Sequence, residues 1–382
     1  MSGNYQEVIN FIRNLYQTPD FIALHEPKFA GNEKAYLIDC IDSTYVSSVG
    51  KYVDRFEHLV AEYTGVKYAI ATVNGTAALH IALKLAGVSQ DDEVITQPLS
   101  FIATCNAISY CGAKPVFVDV DLDTLGMSSV SLRAFLDANA TKTTLGCINN
   151  KTGKKISAVV PMHTFGHPCR IDEIAKICDE FNIPLIEDAA ESLGSFYQGK
   201  HTGSFGKLAA LSFNGNKTIT TGGGGMIITD DEALAKRAKH ITTTAKQPHP
   251  YEFVHDEIGY NYRLPNINAA LGCAQMENLP KLLESKRDIA NAYAEFFSDS
   301  NHKFVKEPVQ ASSNYWLNAL VLEDKQVREN FLKDLNEAGV MSRPVWRLMN
   351  ELPMFSDCQS ADLINSKWLE ERVVNIPSSA RL

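Results

Sequence analysis

From Lys67 to His240, short apolar segments alternate with segments of helical periodicity. The predicted strands are Tyr68–Val73, Glu93–Thr96, Pro115–Val120, Ile156–Met162, Ile183–Glu187, Ala209–Phe213 and Met226–Thr229. The predicted helices are Ala77–Ala86, Phe101–Tyr110, Ile171–Phe181 and Glu232–His240. This alternation indicates an α/β fold in which helices cover both faces of a mainly parallel sheet. Ligands bind such sheets beyond the carboxyl ends of the strands, so the residues that follow each strand are the functional candidates.

The pattern changes after about residue 250. A loop over residues 242–257 shows little periodicity, and it precedes predicted helices at Ile267–Met276, Lys281–Phe297 and Val327–Ala338, with a half-buried strand at Tyr315–Leu322. The chain has 382 residues, enough for two domains. We predict a large domain over residues 1–250, which includes an N-terminal helical lead-in, and a smaller α+β domain over residues 251–382.

Composition excludes several classes of protein. The net charge of -9 argues against a general binder of nucleic acid or of anionic membranes. No apolar run approaches membrane-spanning length, and the N-terminus lacks the basic and apolar regions of a signal peptide. The 8 cysteines are scattered and form no Cys-x-x-Cys pair, which is typical of reduced cysteines. We therefore expect a cytoplasmic protein.

Lys217 lies just past the strand Ala209–Phe213, within the segment Ser212–Lys217 and shortly before the glycine run Gly222–Gly225. No Asp or Glu occurs from Ser192 to Thr229, so this lysine has no acidic neighbour close in sequence. A desolvated lysine at the end of a buried strand can act as a nucleophilic amine that forms an imine. A solvated loop lysine is the alternative.

Two other strand ends suit a phosphate and a flat ring. Gly75 and Thr76 follow the first strand at a predicted helix start, where backbone N–H groups and a hydroxyl can bind a phosphate. An ordinary helix cap is the alternative. Phe101 begins the next helix and could stack on a ring, or it could be a core residue. The chain has no G-x-G-x-x-G or Walker motif, so a dinucleotide or P-loop site is not supported.

Asp188 and His163 end two further strands. A carboxylate at the position of Asp188 could approach a ring nitrogen and keep it protonated, although a helix cap is the alternative. His163 could be a polar contact in the ligand site or a structural histidine. The spacing of His163 and His167 would suit a helical metal pair, but Pro161 and Gly166 disfavour a helix there, so we predict no metal.

Together these parts fit one ligand. A phosphate cradle, a stacking ring, an aspartate for a ring nitrogen and a lysine for an aldehyde describe a site for pyridoxal 5'-phosphate. The conjunction is far more specific than any one of its parts.

Five segments then carry a family resemblance over nearly the whole chain: Gly50–Glu57, Asn74–Ala78, Glu187–Glu191, Ser212–Lys217 and Gly259–Arg263. By these segments the chain resembles the DegT/StrS family of sugar-nucleotide aminotransferases. The resemblance implies the pyridoxal phosphate-dependent transferase fold type I, similar to aspartate aminotransferase. The Asn-Gly-Asn-Lys form and the ending Asn375–Ser379 are similar to the LegC-type subgroup, which makes 4-amino sugars from UDP-linked 4-keto-6-deoxy-N-acetylhexosamines.

The resemblance also implies a role for each matching residue at the cofactor. Lys217 would hold the cofactor as an imine and move protons, and Asp188 would hold the pyridine nitrogen. The cofactor's phosphate and ring would be bound by a further set: Gly75, Thr76, the backbone of Ala77, Ser212 and Phe101. Glu191 stands where many relatives carry glutamine or histidine, and we place it in the same site.

Other implied roles concern the partner subunit and the substrate. Asn261 would reach the phosphate of the neighbouring subunit's cofactor, which makes the protein a homodimer with shared active sites. Arg343 and Trp346 would contact the substrate, and from its place at a strand end we predict His163 as a third substrate contact.

The activity implied is transfer of the amino group of L-glutamate to a keto carbon, C4 in the subgroup, of a nucleotide-linked keto-deoxy sugar. The expected setting is the biosynthesis of cell-surface glycans such as lipopolysaccharide. Two alternatives remain from the sequence. Some family members replace the lysine with histidine and are sugar dehydratases, which the presence of Lys217 disfavours. A non-catalytic, cofactor-binding regulator is the other, and no basic, DNA-reading segment supports it.

Overall fold

The computed structural model describes residues 5–144 and 146–382. The helices are α1 Gln6–Tyr16, α2 Glu33–Asp42, α3 Lys51–Thr64, α4 Gly75–Leu85, α5 Ile102–Tyr110, α6 Ser129–Asn139, α7 Ile171–Phe181, α8 Glu232–Thr242, α9 Asn266–Phe296, α10 Lys325–Glu337 and α11 Ile364–Glu370. The strands are β1 Tyr68–Thr72, β2 Glu93–Thr96, β3 Lys114–Phe117, β4 Ala140–Thr143, β5 Gly146–Asn149, β6 Lys155–Val160, β7 Ile186–Asp188, β8 Phe196–Tyr197, β9 Lys200–His201, β10 Leu208–Ser212, β11 Gly225–Thr229, β12 Lys303–Phe304, β13 Ala311–Ser312, β14 Asn318–Val321, β15 Arg343–Pro344 and β16 Val373–Ile376.

Strands β3, β2, β6, β7 and β10 are parallel neighbours in the central sheet, as the strand-helix alternation predicts, whereas β4, β5 and β6 form an antiparallel edge. One part has the order β1-β11-β10-β7 and the other β3-β2-β6-β5-β4. Parallel bridges Val159↔Leu185 and Met162↔Asp188 join β6 to β7, so the two parts continue across one layer. Strand β11 runs antiparallel to both β1 and β10. Residues 213–224 connect β10 to β11 without a helix, and a parallel return would need a longer crossover.

Helices on both faces bury this sheet. Helix α4 is buried along almost its whole length, and its Ala78, Ile81 and Ala82 are completely inaccessible. On the other face, Phe56 of α3 and Phe213 pack edge to face with ring centroids 4.9 Å apart. A sheet covered on both sides must consist of apolar strands, which is why the strands appear in the sequence as continuous apolar runs.

A second, antiparallel sheet has the order β12-β14-β16-β15 and lies wholly in the C-terminal part of the chain. Its core contains Leu320, Phe331 and Ile376 together with Ile9 and Ile12 of the N-terminal helix α1. The predicted boundary near residue 250 stays a prediction. This shared core leads us to propose that α1 belongs with the smaller unit rather than with the large one.

Two helices predicted separately, Ile267–Met276 and Lys281–Phe297, form the single helix α9 with Pro280 inside it. Proline removes one backbone hydrogen bond within a helix, and burial of the long apolar face of α9 against other elements outweighs that loss. In the part of the chain that the structure describes, no helix combines the length and the apolar character needed to cross a membrane.

Candidate active site

Several of the predicted site residues lie at one edge of the central sheet. Strands β7 and β10 are parallel, so Asp188 at the end of β7 and Ser212 at the end of β10 point to the same edge. Helices α4 and α5 begin at the carboxyl ends of β1 and β2, and β1 runs parallel to β10 because both are antiparallel to β11. The carboxyl ends of these strands therefore lie at the same edge of the sheet, which is the edge where ligands of such sheets bind.

Lys217 is held between a carboxylate and an indole. Its Nζ lies 3.4 Å from Oε1 of Glu191 and 3.8 Å from the centroid of the Trp316 ring. Only 13% of the Lys217 side chain is exposed. A loop lysine in free solution would be mostly exposed, so the structure favours the desolvated amine over the solvated alternative.

Glu191 is the acidic partner that the sequence does not reveal near Lys217. It is 3% exposed, and its second carboxylate oxygen accepts a hydrogen bond of 2.9 Å from the backbone N–H of Phe165. Burial raises the pKa of Glu191 to about 7, although the charge of Lys217 opposes this effect. A carboxyl group that titrates near neutrality can give or take a proton at the pH of the cell.

Asp188 is a buried carboxylate with neutral hydrogen-bond donors. The hydroxyl of Thr104 donates to Oδ2 at 2.6 Å, and the N–H of Ala190 donates to Oδ1 at 3.2 Å. Burial raises its pKa, with the Thr104 hydroxyl and then the Lys217 charge among the opposing influences. Within the described ranges no cationic side chain forms an ion pair with Asp188, so this buried carboxylate favours a ligand that brings a positive charge.

Three aromatic rings contact one another beside Glu191 and Thr104. Phe165, whose N–H binds Glu191, has its ring centroid 5.0 Å from that of Trp346. Trp346 in turn lies 6.3 Å from Phe101, and Phe101 is the residue before α5, the helix that carries Thr104. We call the site formed by Lys217, Glu191, Asp188, Phe101 and Trp346, which these contacts and the charge of Lys217 near Asp188 connect, the lysine cavity. Phe101 is 48% exposed, as a ring that stacks on a ligand would be.

The start of α4 comes very close to Ser212. A Cβ atom added at Gly75 would lie 2.8 Å from the Ser212 Cβ, so only glycine lets the two backbones approach this far. The helix cap is Asn74, and its Oδ1 accepts the N–H of Ala77 at 2.8 Å. The predicted phosphate contact of the Ala77 backbone therefore competes with this cap. The Thr76 hydroxyl makes no hydrogen bond to any described residue, so it is available to an anion.

His163 lies behind Asp188, and its ring is fully buried. One ring nitrogen lies 3.0 Å from Oε2 of Glu187, and the other accepts the backbone N–H of Cys169 at 3.3 Å. Burial lowers the pKa of His163, but Cys169 and Glu187 outweigh this effect and raise it. Because both ring nitrogens are bound within the protein, the geometry favours the structural alternative over the predicted substrate contact.

Arg343 and Asn261 are both exposed, outside the lysine cavity. Arg343 donates to Asn336 and to the carbonyl of Ser342, so the structure does not bring it together with Lys217. Asn261 accepts a hydrogen bond of 3.0 Å from the Nε of Arg263. Its place on the surface is what a residue that completes a neighbouring subunit's site requires. Both roles stay predictions.

Sequence reasoning missed Thr104, Phe165 and Trp316. Thr104 lies 84 positions from Asp188 along the chain, and Trp316 belongs to the C-terminal part. No motif marks these residues. The only available signal was the position of Thr104, one turn into the helix that Phe101 precedes.

The donor set of the lysine cavity fits pyridoxal phosphate. A buried carboxylate without a cationic partner suits a protonated ring nitrogen, and the exposed face of Phe101 suits the ring itself. The N-terminus of α4, with the free Thr76 hydroxyl and the close approach of Gly75 to Ser212, suits the phosphate. Lys217 is the amine within the same space.

Replacement of Glu191 by glutamine is expected to change how the stability of the cofactor-free protein depends on pH. Because the pKa is raised from 4.5 to about 7, the folded protein binds more protons than the unfolded chain between these values. The contribution of Glu191 to the free energy of unfolding therefore falls as pH rises through this window. In urea denaturation, the free energy of unfolding of Glu191→Gln minus that of wild type should increase from pH 4.5 to 7, by at most roughly 3 kcal/mol. A difference independent of pH would contradict this assignment.

Comparison with known proteins places this chain in a family. Residues 27–382 match the model of the DegT/DnrJ/EryC1/StrS aminotransferase family. The chain is 38% identical over 358 residues to GDP-perosamine synthase of Escherichia coli O157:H7, which covers 94% of this chain and 93% of that protein. It is also 38% identical over 335 residues to EpsN of Bacillus subtilis (strain 168), named as a pyridoxal phosphate-dependent aminotransferase, with 87% and 84% covered.

Among solved structures, the fold is similar to that of the aminotransferase TlmJ from Streptoalloteichus hindustanus. The TM-score is 0.85 at 26% sequence identity, over 94% of this chain and 93% of that chain. The fold type I architecture expected from the sequence is thereby confirmed.

Proposed function

Since the chain belongs to the DegT/DnrJ/EryC1/StrS aminotransferase family, we propose that it transfers the amino group of L-glutamate to C4 of a nucleotide-linked 4-keto-6-deoxy sugar. It is a sugar aminotransferase, and its cofactor is pyridoxal phosphate. The observation that carries the finer proposal is the amine of Lys217, held 3.4 Å from Glu191 on the cavity that also contains Asp188. When bound, pyridoxal phosphate supplies a carbonyl for the amino group and a ring that accepts electrons from the α-carbon.

Lys217 binds the cofactor and moves the proton. Its amine is the nucleophile of the cavity, and once free it takes the proton from the α-carbon of the amino donor and returns it on the other side of the transfer. Trp316 and Glu191 keep water away from this amine, because they occupy two of its sides. Glu191, with a pKa of about 7, can hold a proton for Lys217 between these two steps.

Asp188 supplies the negative charge that a protonated ring nitrogen needs. Thr104 and Ala190 orient its carboxylate by one hydrogen bond to each oxygen. In this buried setting the negative charge stabilises a protonated nitrogen much more strongly than it would in water.

Binding and orientation fall to the remaining residues. Thr76, Ser212 and the N-terminus of α4 would bind the phosphate, and Phe101 would lie against the ring. The ring of Trp346 lies 6.3 Å from that of Phe101, centroid to centroid, so we assign Trp346 to the sugar nucleotide. Arg343 keeps its predicted role on the nucleotide, where its exposure would allow contact with a large, charged substrate.

Two observations favour different nucleotides. The Asn214–Lys217 segment and the ending Asn375–Ser379 favour a UDP-linked 4-keto-6-deoxy-N-acetylhexosamine, because the LegC-type subgroup shares them. The 38% identity with a GDP-perosamine synthase favours a GDP-linked 4-keto-6-deoxy sugar instead. We propose the UDP-linked substrate first and the GDP-linked substrate second.

A substrate panel tests this proposal. The purified enzyme is given L-glutamate and UDP-, GDP- or dTDP-linked 4-keto-6-deoxy sugars, and both 2-oxoglutarate and the mass of the sugar product are measured. We expect glutamate-dependent uptake of one nitrogen with the UDP or the GDP substrate. A product that loses oxygen and gains no nitrogen would indicate a dehydratase. Absence of reaction with the whole panel would contradict the proposed substrate class.

We also propose a homodimer. Apolar side chains around α2 are exposed in the single chain: Phe29, Ile38, Ile41, Tyr45 and Val49. A patch of this kind is typical of an interface. Light scattering should give twice the mass of the 42.2 kDa chain, and a monomer would exclude a shared site.

A further inference from the structure

A second buried lysine lies behind the lysine cavity. Lys286 of α9 is 1% exposed. Its Nζ donates to the carbonyl of Ser378 at 2.7 Å and to the carbonyl of Trp316 at 3.2 Å, and it lies 2.9 Å from Nε2 of His25. We call Lys286, His25 and these two carbonyls the Lys286 cluster. It joins the N-terminal segment, α9 and the Asn375–Ser379 motif, none of which the proposed reaction uses.

The Lys286 cluster carries a free-energy cost for the folded protein. Within the described ranges no carboxylate lies within ion-pair distance of Lys286, and burial lowers its pKa to about 7. The pKa of His25 lies well below its ordinary value because of burial and then the charge of Lys286. Nδ1 of His25 is buried and has no hydrogen-bond partner among the described residues. An apolar side chain would fill this space at lower cost, so stability does not explain the cluster.

Trp316 connects the cluster to Lys217. Its carbonyl binds Lys286, while its ring faces the Lys217 amine at 3.8 Å. The indole N–H also donates to the carbonyl of Asn216 at 2.6 Å. The indole therefore holds the loop both at Lys217 and at the residue before it, and Lys286 holds the main chain that carries the indole.

We propose that Lys286 is a positioning residue, which acts through Trp316 to fix the Lys217 amine in its reactive place. This inference rests on the proposed function of Lys217. His25 supports Lys286 by accepting its hydrogen bond. Small displacements of a reacting group reduce rates strongly. Holding the indole, and with it the Lys217 amine, in place is therefore a sufficient reason for a buried amine at Lys286.

Replacement of Lys286 by methionine tests this role, because methionine keeps the length and removes the donors. We expect kcat to fall by roughly 10- to 100-fold, with KM for the sugar nucleotide changed less than about threefold. His25→Leu should give a smaller loss of kcat in the same direction. If Lys286→Met does not fold, His25→Leu alone decides, and an unchanged kcat there would overturn the proposal.

A double-mutant cycle separates positioning from general stability. Trp316→Leu removes the indole, and the double variant Lys286→Met/Trp316→Leu should be within about threefold of the slower single variant, because both changes break one connection. Losses that multiply would overturn the proposal. Tyr293→Phe is the matched control: Tyr293 is also buried on α9 and donates to the neighbouring carbonyl of Pro377 at 3.0 Å. It should lower stability and leave kcat unchanged.

A readout without cofactor completes the test. The chain has 3 tryptophans, so Trp346→Phe/Trp368→Phe leaves Trp316 as the only indole. In the cofactor-free protein, Lys286→Met should shift its fluorescence to longer wavelength and increase quenching by acrylamide, whereas Tyr293→Phe should not. An unchanged spectrum overturns the inference by itself. If borohydride fails to attach the cofactor to Lys217 in the wild-type enzyme, the proposed function fails instead.

Discussion

Lys217→Ala is expected to abolish transamination, with kcat reduced by about 10⁴-fold or more, since both the amine that binds the cofactor and the group that moves the proton are lost. Only 13% of the side chain is exposed, and among the described residues Lys217 is the lysine that pairs with Glu191. Borohydride reduction followed by peptide mass spectrometry should find the cofactor on Lys217 in wild type only. Turnover at a normal rate in Lys217→Ala would refute the mechanism.

Lys217→Arg tests whether Lys217 acts through its positive charge or through an amine that can lose its proton. Lys217→Arg keeps a positive charge near Glu191 but offers no amine that loses its proton at the pH of the assay, so it should be as inactive as Lys217→Ala. Lys236→Ala serves as the control, because Lys236 is exposed on α8 and pairs only with Glu232 among the recorded ion pairs of the described residues. Its kcat should stay within about twofold of wild type, as is usual for a surface substitution.

Asp188→Asn should lower kcat by roughly 10²- to 10³-fold, because it removes a preorganised charge and keeps nearly the same shape. Thr104→Val should cost less, since it deletes only the hydroxyl that orients Asp188 at 2.6 Å. The rates of both variants with saturating glutamate and sugar nucleotide, together with cofactor absorbance, measure these effects. An Asp188→Asn enzyme that keeps more than half of the wild-type kcat would show that the charge is not needed.

A buried aspartate elsewhere provides the control for Asp188. Asp119 is 7% exposed and accepts the backbone N–H groups of Asn365 and Ser366 at the start of α11. Asp119→Asn should therefore reduce the free energy of unfolding by about 1–3 kcal/mol and leave kcat near the wild-type value. This contrast separates loss of a buried carboxylate in general from loss of the one in the lysine cavity.

The environment of Lys217 shows where sequence reasoning stops. The absence of acidic residues from Ser192 to Thr229 suggested an unpaired lysine, yet the structure pairs it with Glu191, one position before that range. The partner comes from the turn after β7, and the stacking Trp316 comes from the second part of the chain. Spacing along the sequence gives no information on such contacts, because they depend on which strand ends meet.

His163 and α9 show the same limit in two other ways. The position of His163 at a strand end was identified correctly, but its ring turns to Glu187 and Cys169 rather than to the cavity. Side-chain direction at a strand end depends on the packing of the neighbouring loops. In α9, the two separately predicted helices are one helix that contains Pro280, because tertiary burial outweighed the local preference of proline.

The sequence by itself determined the α/β architecture, and it predicted a ligand site at one edge of the sheet with a lysine, an aspartate, a ring and a helix start that match one cofactor. These follow from periodicity and from residues beside strand ends, which are local properties of the chain. Tertiary structure alone decided that Glu191 and Trp316 enclose Lys217, that Thr104 orients Asp188, and that Lys286 supports Trp316 from behind. Each of these contacts joins segments far apart in the chain, and only packing of the completed fold brings their side chains within hydrogen-bond distance.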